Sequence, residues 1–445
     1  MKHVSILGAG RSSTILIRYL LDTAKTRNWR VTVADTDLGQ AIAKINGHPN
    51  GKALSLDAVQ TTERQDLVKQ SDLVVSLLPP NLHHLVAQDC LHFGKNLVNA
   101  SYLSKELLAL DQTVRERGLT FMGEMGLDPG IDHMSAMEKI NEIREKGGKL
   151  TAFRSYTGGL IAPESDDNPW HYKFTWNPRN VVLAGQNTAR YLEQGKIKYL
   201  PYHRLFKNYW KIEVDGLGPY EVYANRDSLP YRELYGLEGI SSLLRGTIRA
   251  NGFCDAWNAL AQLGLTDPSF QLTPTPAWTY ASLMESYATD DSPGEVKKKT
   301  ARMLGLDPNS EPMKKLEWLD LFSNQPIPPL ENPSPAVVLE DLLLKKWALL
   351  PEDKDMIIMR HEFEYELAGK TKRLLSTLVM KGRDEQDTAM ARLVGLPLGI
   401  FSKLLLEGKV QAPGVHIPVM PEVYKPVLAE LATFGVVFQD QEETL

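Results

Sequence analysis

Along residues 1–130, short apolar runs alternate with longer stretches in which apolar positions recur at helical spacing. The runs HVSIL, RVTVA, KALSL, LVVSLL, NLVNA and LTFMG have the length and the Val, Ile and Leu content of strands buried on both faces. Between them, stretches such as 12–27, with Ile15, Leu16, Tyr19 and Leu20 on one side, and 82–93 read as amphipathic helices. Strand and helix in regular alternation predict a Rossmann-type, doubly wound parallel sheet covered on both faces.

The pattern changes after Gly130. A helix over about 132–146 leads through Gly147 and Gly148 into LTAFRSYTGG, read as the first strand of a second α/β unit. Strand-like segments continue through KIEVDGLGPYEVYANRDS. Residues 230–345 then look mostly helical, broken at Pro230, Pro268 and IPPLENPSP. The runs DMIIMRHEFEYEL and KRLLSTLVMKG, joined by AGKT, predict a hairpin. Two helices, 388–406 and 422–433, and a short strand, GVVFQ, complete the chain. Three parts are therefore expected. Residues 1–130 with about 395–445 form the dinucleotide-binding domain, and 131–229 with about 346–394 form a substrate-binding and dimerisation domain around a mixed sheet. Residues of about 230–345 form a helical insertion domain.

Composition narrows the function classes. With 445 residues, 43% hydrophobic and 24% charged, and a formal charge of -5, the chain is an ordinary globular protein of two or three domains. The 50 Lys and Arg are dispersed among 55 Asp and Glu, so no nucleic-acid partner is expected, and Lys297–Lys299 reads as a solvated helix face. Met1 leads directly to Val4, Ile6 and Leu7 without a secretion signal. No apolar run reaches the roughly 18 residues of a membrane span, and mean hydropathy is -0.26. The two cysteines, Cys90 and Cys254, lie far apart and in no zinc or disulfide spacing. A cytoplasmic location, no membrane partner and no metal are expected.

Candidate chemistry begins at the first strand's end, with Gly8-Ala9-Gly10-Arg11-Ser12-Ser13. Gly8 allows the tight turn, Gly10 allows close backbone approach to a pyrophosphate, and the following helix's first amides can hydrogen-bond it. Ser13 stands where the fingerprint's third glycine belongs. The second strand ends at Asp35, whose carboxylate suits the ribose hydroxyls of NAD and would repel the 2'-phosphate of NADP. NAD is the expected cofactor, with NADP as the alternative. Leu78 and Pro79 end the fourth strand where such folds line the nicotinamide pocket. The competing structural readings are a purely structural glycine turn, and Asp35 as a cap of the next helix.

The runs Asn99-Ala100-Ser101-Tyr102 and Gly123-Glu124-Met125-Gly126-Leu127-Asp128-Pro129-Gly130-Ile131-Asp132-His133 resemble the saccharopine reductase family, that is, the saccharopine dehydrogenases that form L-glutamate. So do Ser155–Leu160, Asp167–Pro169, Tyr172–Phe174, Asn225–Ser228 and Arg245–Arg249, which follow in the family's order. The resemblance covers nearly the whole chain. It implies oxidation of saccharopine to L-glutamate and 2-aminoadipate 6-semialdehyde. It also implies substrate contacts at Ser101, Tyr102, Arg226, Thr247, Ile248 and Arg249, with Asn99 and Asp128 beside the cofactor. Fungal members that use NADP carry an arginine just after the second strand, where this chain has Asp35-Thr36-Asp37. A homodimer is expected from relatives.

Physical chemistry agrees with the resemblance, since saccharopine carries three carboxylates and forked arginine donors suit them. The bland reading pairs Arg226 and Arg249 with Asp227 or Glu238 at the surface. Ser101 could equally be a helix N-cap. The acid/base group is left among Asp128, His133, Glu124 and Tyr102, with Asp128 and His133 preferred, although His133 could be a structural partner. Two other functions stay open at this point: a carboxynorspermidine dehydrogenase-like imine reductase, whose substrate is cationic at one end, and a non-catalytic NAD-binding protein.

Overall fold

The computed structural model describes residues 1–274, 278–288 and 294–445. The chain divides into two compact units: Met1–Lys149 with 366–370 and 378–440, and Leu150–Tyr365 with 371–377 and 441–445. Residues 230–345 do not form a separate unit, which corrects the three-part division.

In the first unit, the six apolar runs form β1 (His3–Leu7), β2 (Arg30–Asp35), β3 (Gly51–Ser55), β4 (Leu73–Ser76), β5 (Asn96–Asn99) and β6 (Thr120–Met122). They pair in parallel in the order β6-β5-β4-β1-β2-β3. A seventh strand, Gly414–His416, adds to β6 from late in the chain. The order reverses at β1, and ligands of such sheets sit at that crevice, beyond the strands' carboxyl ends. β1 and β4 are fully buried, as strands covered on both faces must be.

The helix Thr14–Arg27 follows the glycine turn and buries Ile15, Leu16, Leu20, Leu21 and Ala24. It stops at Asn28, whose left-handed backbone (φ 54°) turns its amide back to the Ala24 carbonyl. The helix Ala389–Leu406 crosses close against it. A Cβ on Gly395 would lie 2.6 Å from the Leu16 amide nitrogen, and one on Gly399 would lie 2.5 Å from the Tyr19 ring. These glycines allow the two helices to approach closely, while Ser13 stands in the turn where a third fingerprint glycine would allow close helix–strand packing. Among the described residues, Ala389–Leu406 is the one helix long and apolar enough to cross a membrane, and 78% of it is buried inside the structure.

A second set of strands is β7 (Lys149–Ile161), β8 (Ala189–Glu193), β9 (Lys196–Leu200), β10 (Tyr209–Val214), β11 (Gly218–Ala224), β12 (Ser242–Ala250), β13 (Asp355–Leu367) and β14 (Lys370–Lys381), which belong to the second unit except for Lys149 and the ends of β13 and β14. They build a mixed sheet in the order β10-β11-β12-β7-β13-β14, ending on the strand Gln439–Thr444, with β8 and β9 beside β12. The turn between β13 and β14 puts Ala368 (φ 50°) and Gly369 (φ 76°) in left-handed backbone, the conformation that keeps a two-residue hairpin twisted correctly. β12 lies inside the range expected to be a helical insertion. It is instead a central strand, paired in parallel to β7 and antiparallel to β11. Helices from Phe253–Gln262 to Pro335–Lys346 follow it and share a core with the sheet through Trp170, Tyr172, Phe174, Phe253, Trp257 and Trp347. The terminal strand also differs: GVVFQ is not extended into a strand, and pairing begins at Gln439.

Candidate active site

The glycine turn has the geometry of a dinucleotide cradle. Gly8 adopts φ 106°, and a Cβ there would lie 2.9 Å from the Leu77 carbonyl oxygen, so any side chain would be strained. A Cβ on Gly10 would meet nothing within 4 Å, which leaves open space for a phosphate against the backbone. Arg11 and Ser12 begin a short 3-10 turn that runs into the helix, and neither start is capped by a side chain. These uncapped amides are the donors an anion would take. Ser13 is buried, and its hydroxyl donates to the Gly10 carbonyl at 2.8 Å.

Asp35 holds the end of β2 against this turn. Its Oδ2 accepts from the Ala9 amide at 2.6 Å and its Oδ1 from the Asp37 amide at 2.9 Å. The cap of the next helix is Asp37, which accepts from the Gln40 amide, so Asp35 is not that cap. Lys44, unnoticed in the sequence, donates to the Gly10 carbonyl and reaches Ser13 Oγ at 3.1 Å and Thr14 Oγ1 at 3.0 Å. Burial pushes its amine down to about 8, with Asp35 pulling the other way. No sequence signal separates Lys44 from any other lysine on an amphipathic helix. Leu78 is half-buried and Pro79 exposed beyond the end of β4.

The β5 edge is knitted to the loop after β6. Asn99 is buried and its Oδ1 accepts from the Ser101 amide at 3.0 Å; it shapes the turn that presents Ser101. The Ser101 carbonyl accepts from the Glu124 amide, and Glu124 Oε1 accepts from the Leu103 amide at 3.1 Å. Glu124 Oε2 lies 2.8 Å from His133 Nε2, and His133 is 0% exposed. Glu124 and His133 therefore brace the Ser101–Leu103 segment from inside, and the expected acid/base role of His133 does not fit so enclosed a ring. Ser101 is not a helix N-cap; Ser104 takes that position.

From Gly126 to Gly130 the chain closes on itself. The Gly126 amide donates to the Pro129 carbonyl at 3.0 Å, and a Cβ on Gly130 would lie 2.0 Å from the Gly126 carbonyl oxygen. Within this otherwise buried loop Asp128 is the half-buried residue. Its Oδ1 accepts from the Tyr102 hydroxyl at 3.3 Å. A carboxylate and a phenol joined in this way, at the carboxyl edge of the sheet, can pass a proton between them.

The second unit carries the arginines. Arg249, on β12, is 4% exposed, with its guanidinium 5.2 Å from the Tyr172 ring centre and 5.3 Å from that of Phe253. Among the described residues no carboxylate pairs with it and its Nε has no hydrogen-bond partner; Nη1 donates to the Ile248 carbonyl at 3.3 Å. The facing residue on β11, Glu221, is spent on the Gly252 and Cys254 amides. Thr247 is half-buried on the same strand. Ile248 between them is 0% exposed in the core, so a substrate contact expected there would fall to its backbone.

Arg226 is exposed, with left-handed backbone at φ 50°. The neighbouring Asp227 is bound by Arg190 Nε at 2.9 Å. Lys173, 3% exposed, is locked between Asp167 and Asp353 at 2.7 Å each. Among the described residues no group of three or more His, Cys, Asp or Glu could hold a metal.

Comparison with known proteins matches residues 4–122 to the family described as "Saccharopine dehydrogenase NADP binding domain" and residues 126–436 to "Saccharopine dehydrogenase C-terminal domain". The chain is 32% identical over 99% of both chains to "Saccharopine dehydrogenase [NADP(+), L-glutamate-forming]" of Schizosaccharomyces pombe. It is 34% identical to the mouse "Alpha-aminoadipic semialdehyde synthase, mitochondrial", of which it spans 48%. The solved structure of apo saccharopine dehydrogenase (L-Glu forming) from Saccharomyces cerevisiae superposes with a TM-score of 0.89 at 31% identity, covering both chains entirely.

Proposed function

The chain belongs to the saccharopine dehydrogenase family, and from that premise we propose that it oxidises saccharopine with a nicotinamide dinucleotide, releasing L-glutamate and 2-aminoadipate 6-semialdehyde. The observation that carries the substrate assignment is Arg249, a guanidinium buried among aromatic rings with no ion-paired carboxylate among the described residues, since Glu221 opposite it is taken by the Gly252 and Cys254 amides. Desolvation opposes such a charge, while the Tyr223 and Tyr172 hydroxyls favour it. A carboxylate-rich substrate supplies the missing partner, and Arg226 and Thr247 add donors.

The residues of the glycine turn fit a dinucleotide: Gly10 leaves room, the uncapped amides of Arg11 and Ser12 suit a pyrophosphate, and Asp35 suits ribose hydroxyls. A dinucleotide held there would supply a hydride acceptor for the substrate carbon beside the secondary amine. Asp128, with Tyr102 as its relay, takes the amine's proton and passes it to solvent; it then takes the proton of the water that attacks the imine and returns it to the nitrogen that leaves as glutamate. Ser101 contacts the substrate at the same edge, with Asn99 shaping its turn.

We further propose that NAD is preferred over NADP, in contrast to the NADP(+) in the names of the fungal relatives. The support is Asp35, whose carboxylate is pinned by two backbone amides where a 2'-phosphate would come. Like charges so placed cost several kcal/mol, so kcat/KM is expected to favour NAD by ~10²-fold. Asp35→Ser should narrow that ratio by raising NADP turnover. Steady-state rates with saccharopine and each dinucleotide test both parts. Reduction by saccharopine but not by carboxynorspermidine supports the substrate; an NADP preference indifferent to Asp35→Ser would sink the cofactor reading while leaving the reaction intact.

A further inference from the structure

His83 begins the helix His83–Phe93, just past the end of β4. It is 1% exposed, and its two ring nitrogens are both engaged by serines. Nδ1 lies 2.9 Å from Ser76 Oγ, at the buried end of β4, and Nε2 lies 2.8 Å from Ser101 Oγ, beyond the end of β5. The ring thus joins a fully buried hydroxyl to the half-buried hydroxyl expected to touch the substrate.

The direction of the chain follows from counting donors. Burial holds the ring's pKa down to about 4, so the imidazole is neutral at physiological pH, with one N–H donor and one acceptor. Ser76 Oγ is 0% exposed and His83 is its one hydrogen-bond partner among the described residues. If Nδ1 carried the proton, the Ser76 hydroxyl hydrogen would be buried without an acceptor, at a cost of about 1–3 kcal/mol. The favoured arrangement has the Ser76 hydroxyl donating to Nδ1 and Nε2–H donating to Ser101 Oγ. The Ser101 hydroxyl hydrogen is then directed away from His83.

We propose that His83 is a positioning residue that fixes Ser101 as a hydrogen-bond donor, so that Ser101 recognises a carboxylate of the substrate and not its amine. The inference rests on the reading of Ser101 as a substrate contact. Neither Ser76 nor His83 touches the substrate; they set the polarity of the group that does. Buried serine and histidine at the β4 end have no mark in the sequence beyond flanking the Leu77–Pro80 run.

The test is a set of saccharopine kinetics on the full-length enzyme. Ser101→Ala is expected to raise the KM for saccharopine ~10-fold, the loss of one hydrogen bond to a charged group, with the dinucleotide KM unchanged. His83→Leu should raise the saccharopine KM nearly as much. His83→Gln, whose amide can occupy the Nε2 position, should recover most of the loss, whereas His83→Asn, which reaches only toward Ser76, should not. The double variant His83→Leu/Ser101→Ala should be no worse than Ser101→Ala alone. Where Leu prevents folding, the Gln and Asn variants decide. If Ser101→Ala leaves the KM unchanged while saccharopine is still turned over, the substrate contact itself is wrong and the proposal falls with it. If Ser101→Ala raises the KM but His83→Asn does not, or the double variant is additive, the substrate contact stands and the relay is overturned.

Discussion

Asp128→Asn is expected to lower kcat for saccharopine oxidation by ~10²–10⁴-fold, the range lost with a positioned general acid or base. The substitution keeps the shape of the side chain, and its amide oxygen can still accept from the Tyr102 hydroxyl, which lies 3.3 Å from Oδ1 in the parent. What it removes is the ability to take a proton. The loop around it is fixed by the Gly126 and Gly130 backbone contact, so folding and dinucleotide binding should be unaltered, as measured by thermal melting and by titration of the reduced cofactor. A kcat within about 5-fold of the parent would show that bulk water or a substrate carboxylate carries the proton.

Replacement of Arg249 should separate stability from function. Methionine fills a similar volume among Tyr172, Phe253 and the rest of the aromatic core, and it carries no charge to desolvate. Removing a buried, carboxylate-free guanidinium is expected to stabilise the folded chain by about 1–4 kcal/mol, by analogy with buried ion pairs replaced by apolar residues. The same change deletes a charge-assisted contact to substrate worth about 3 kcal/mol, or ~10²-fold in kcat/KM for saccharopine. Denaturant unfolding and steady-state kinetics on Arg249→Met read the two effects independently. A variant that is less stable and fully active would mean that Arg249 is a structural residue and that the substrate's carboxylates are held elsewhere.

The first unit was largely legible because its strands announce themselves: a run such as Val4–Leu7 or Leu73–Ser76, apolar at every position, has few other uses. The strand Gly414–His416 was invisible because three residues with a single aliphatic side chain carry no pattern, and it exists through backbone pairing to β6. At the carboxyl end, the apolar GVVFQ attracted the assignment of a strand. The real one, Gln439–Thr444, is exposed and polar at every position and is tied by ion pairs such as Lys372–Glu442 and Arg373–Glu443. β12 was hidden by its setting: SLLRGTIRA precedes a long helical stretch, and alternation is obscured because both of its faces are buried.

At the site, the glycine turn and Asp35 could be read from residue type and position. The roles of Glu124 and His133 could not, because a histidine that braces a loop and one that moves protons have the same letter. Their burial separates them: His133 is enclosed against Glu124, whereas Asp128 is reached from solvent. Lys44 and His83 became visible only through distances to Gly10 and Ser101. Arg249 was singled out through family likeness, and its burial without a carboxylate supplies the physical reason.

The most direct measurement is the stoichiometry of products when the purified chain is incubated with saccharopine and NAD. One L-glutamate and one 2-aminoadipate 6-semialdehyde are expected for each nicotinamide reduced, with no lysine or 2-oxoglutarate. Lysine in place of glutamate would mean that the other carbon–nitrogen bond is cleaved, and no reduction with either NAD or NADP would contradict the proposed reaction outright.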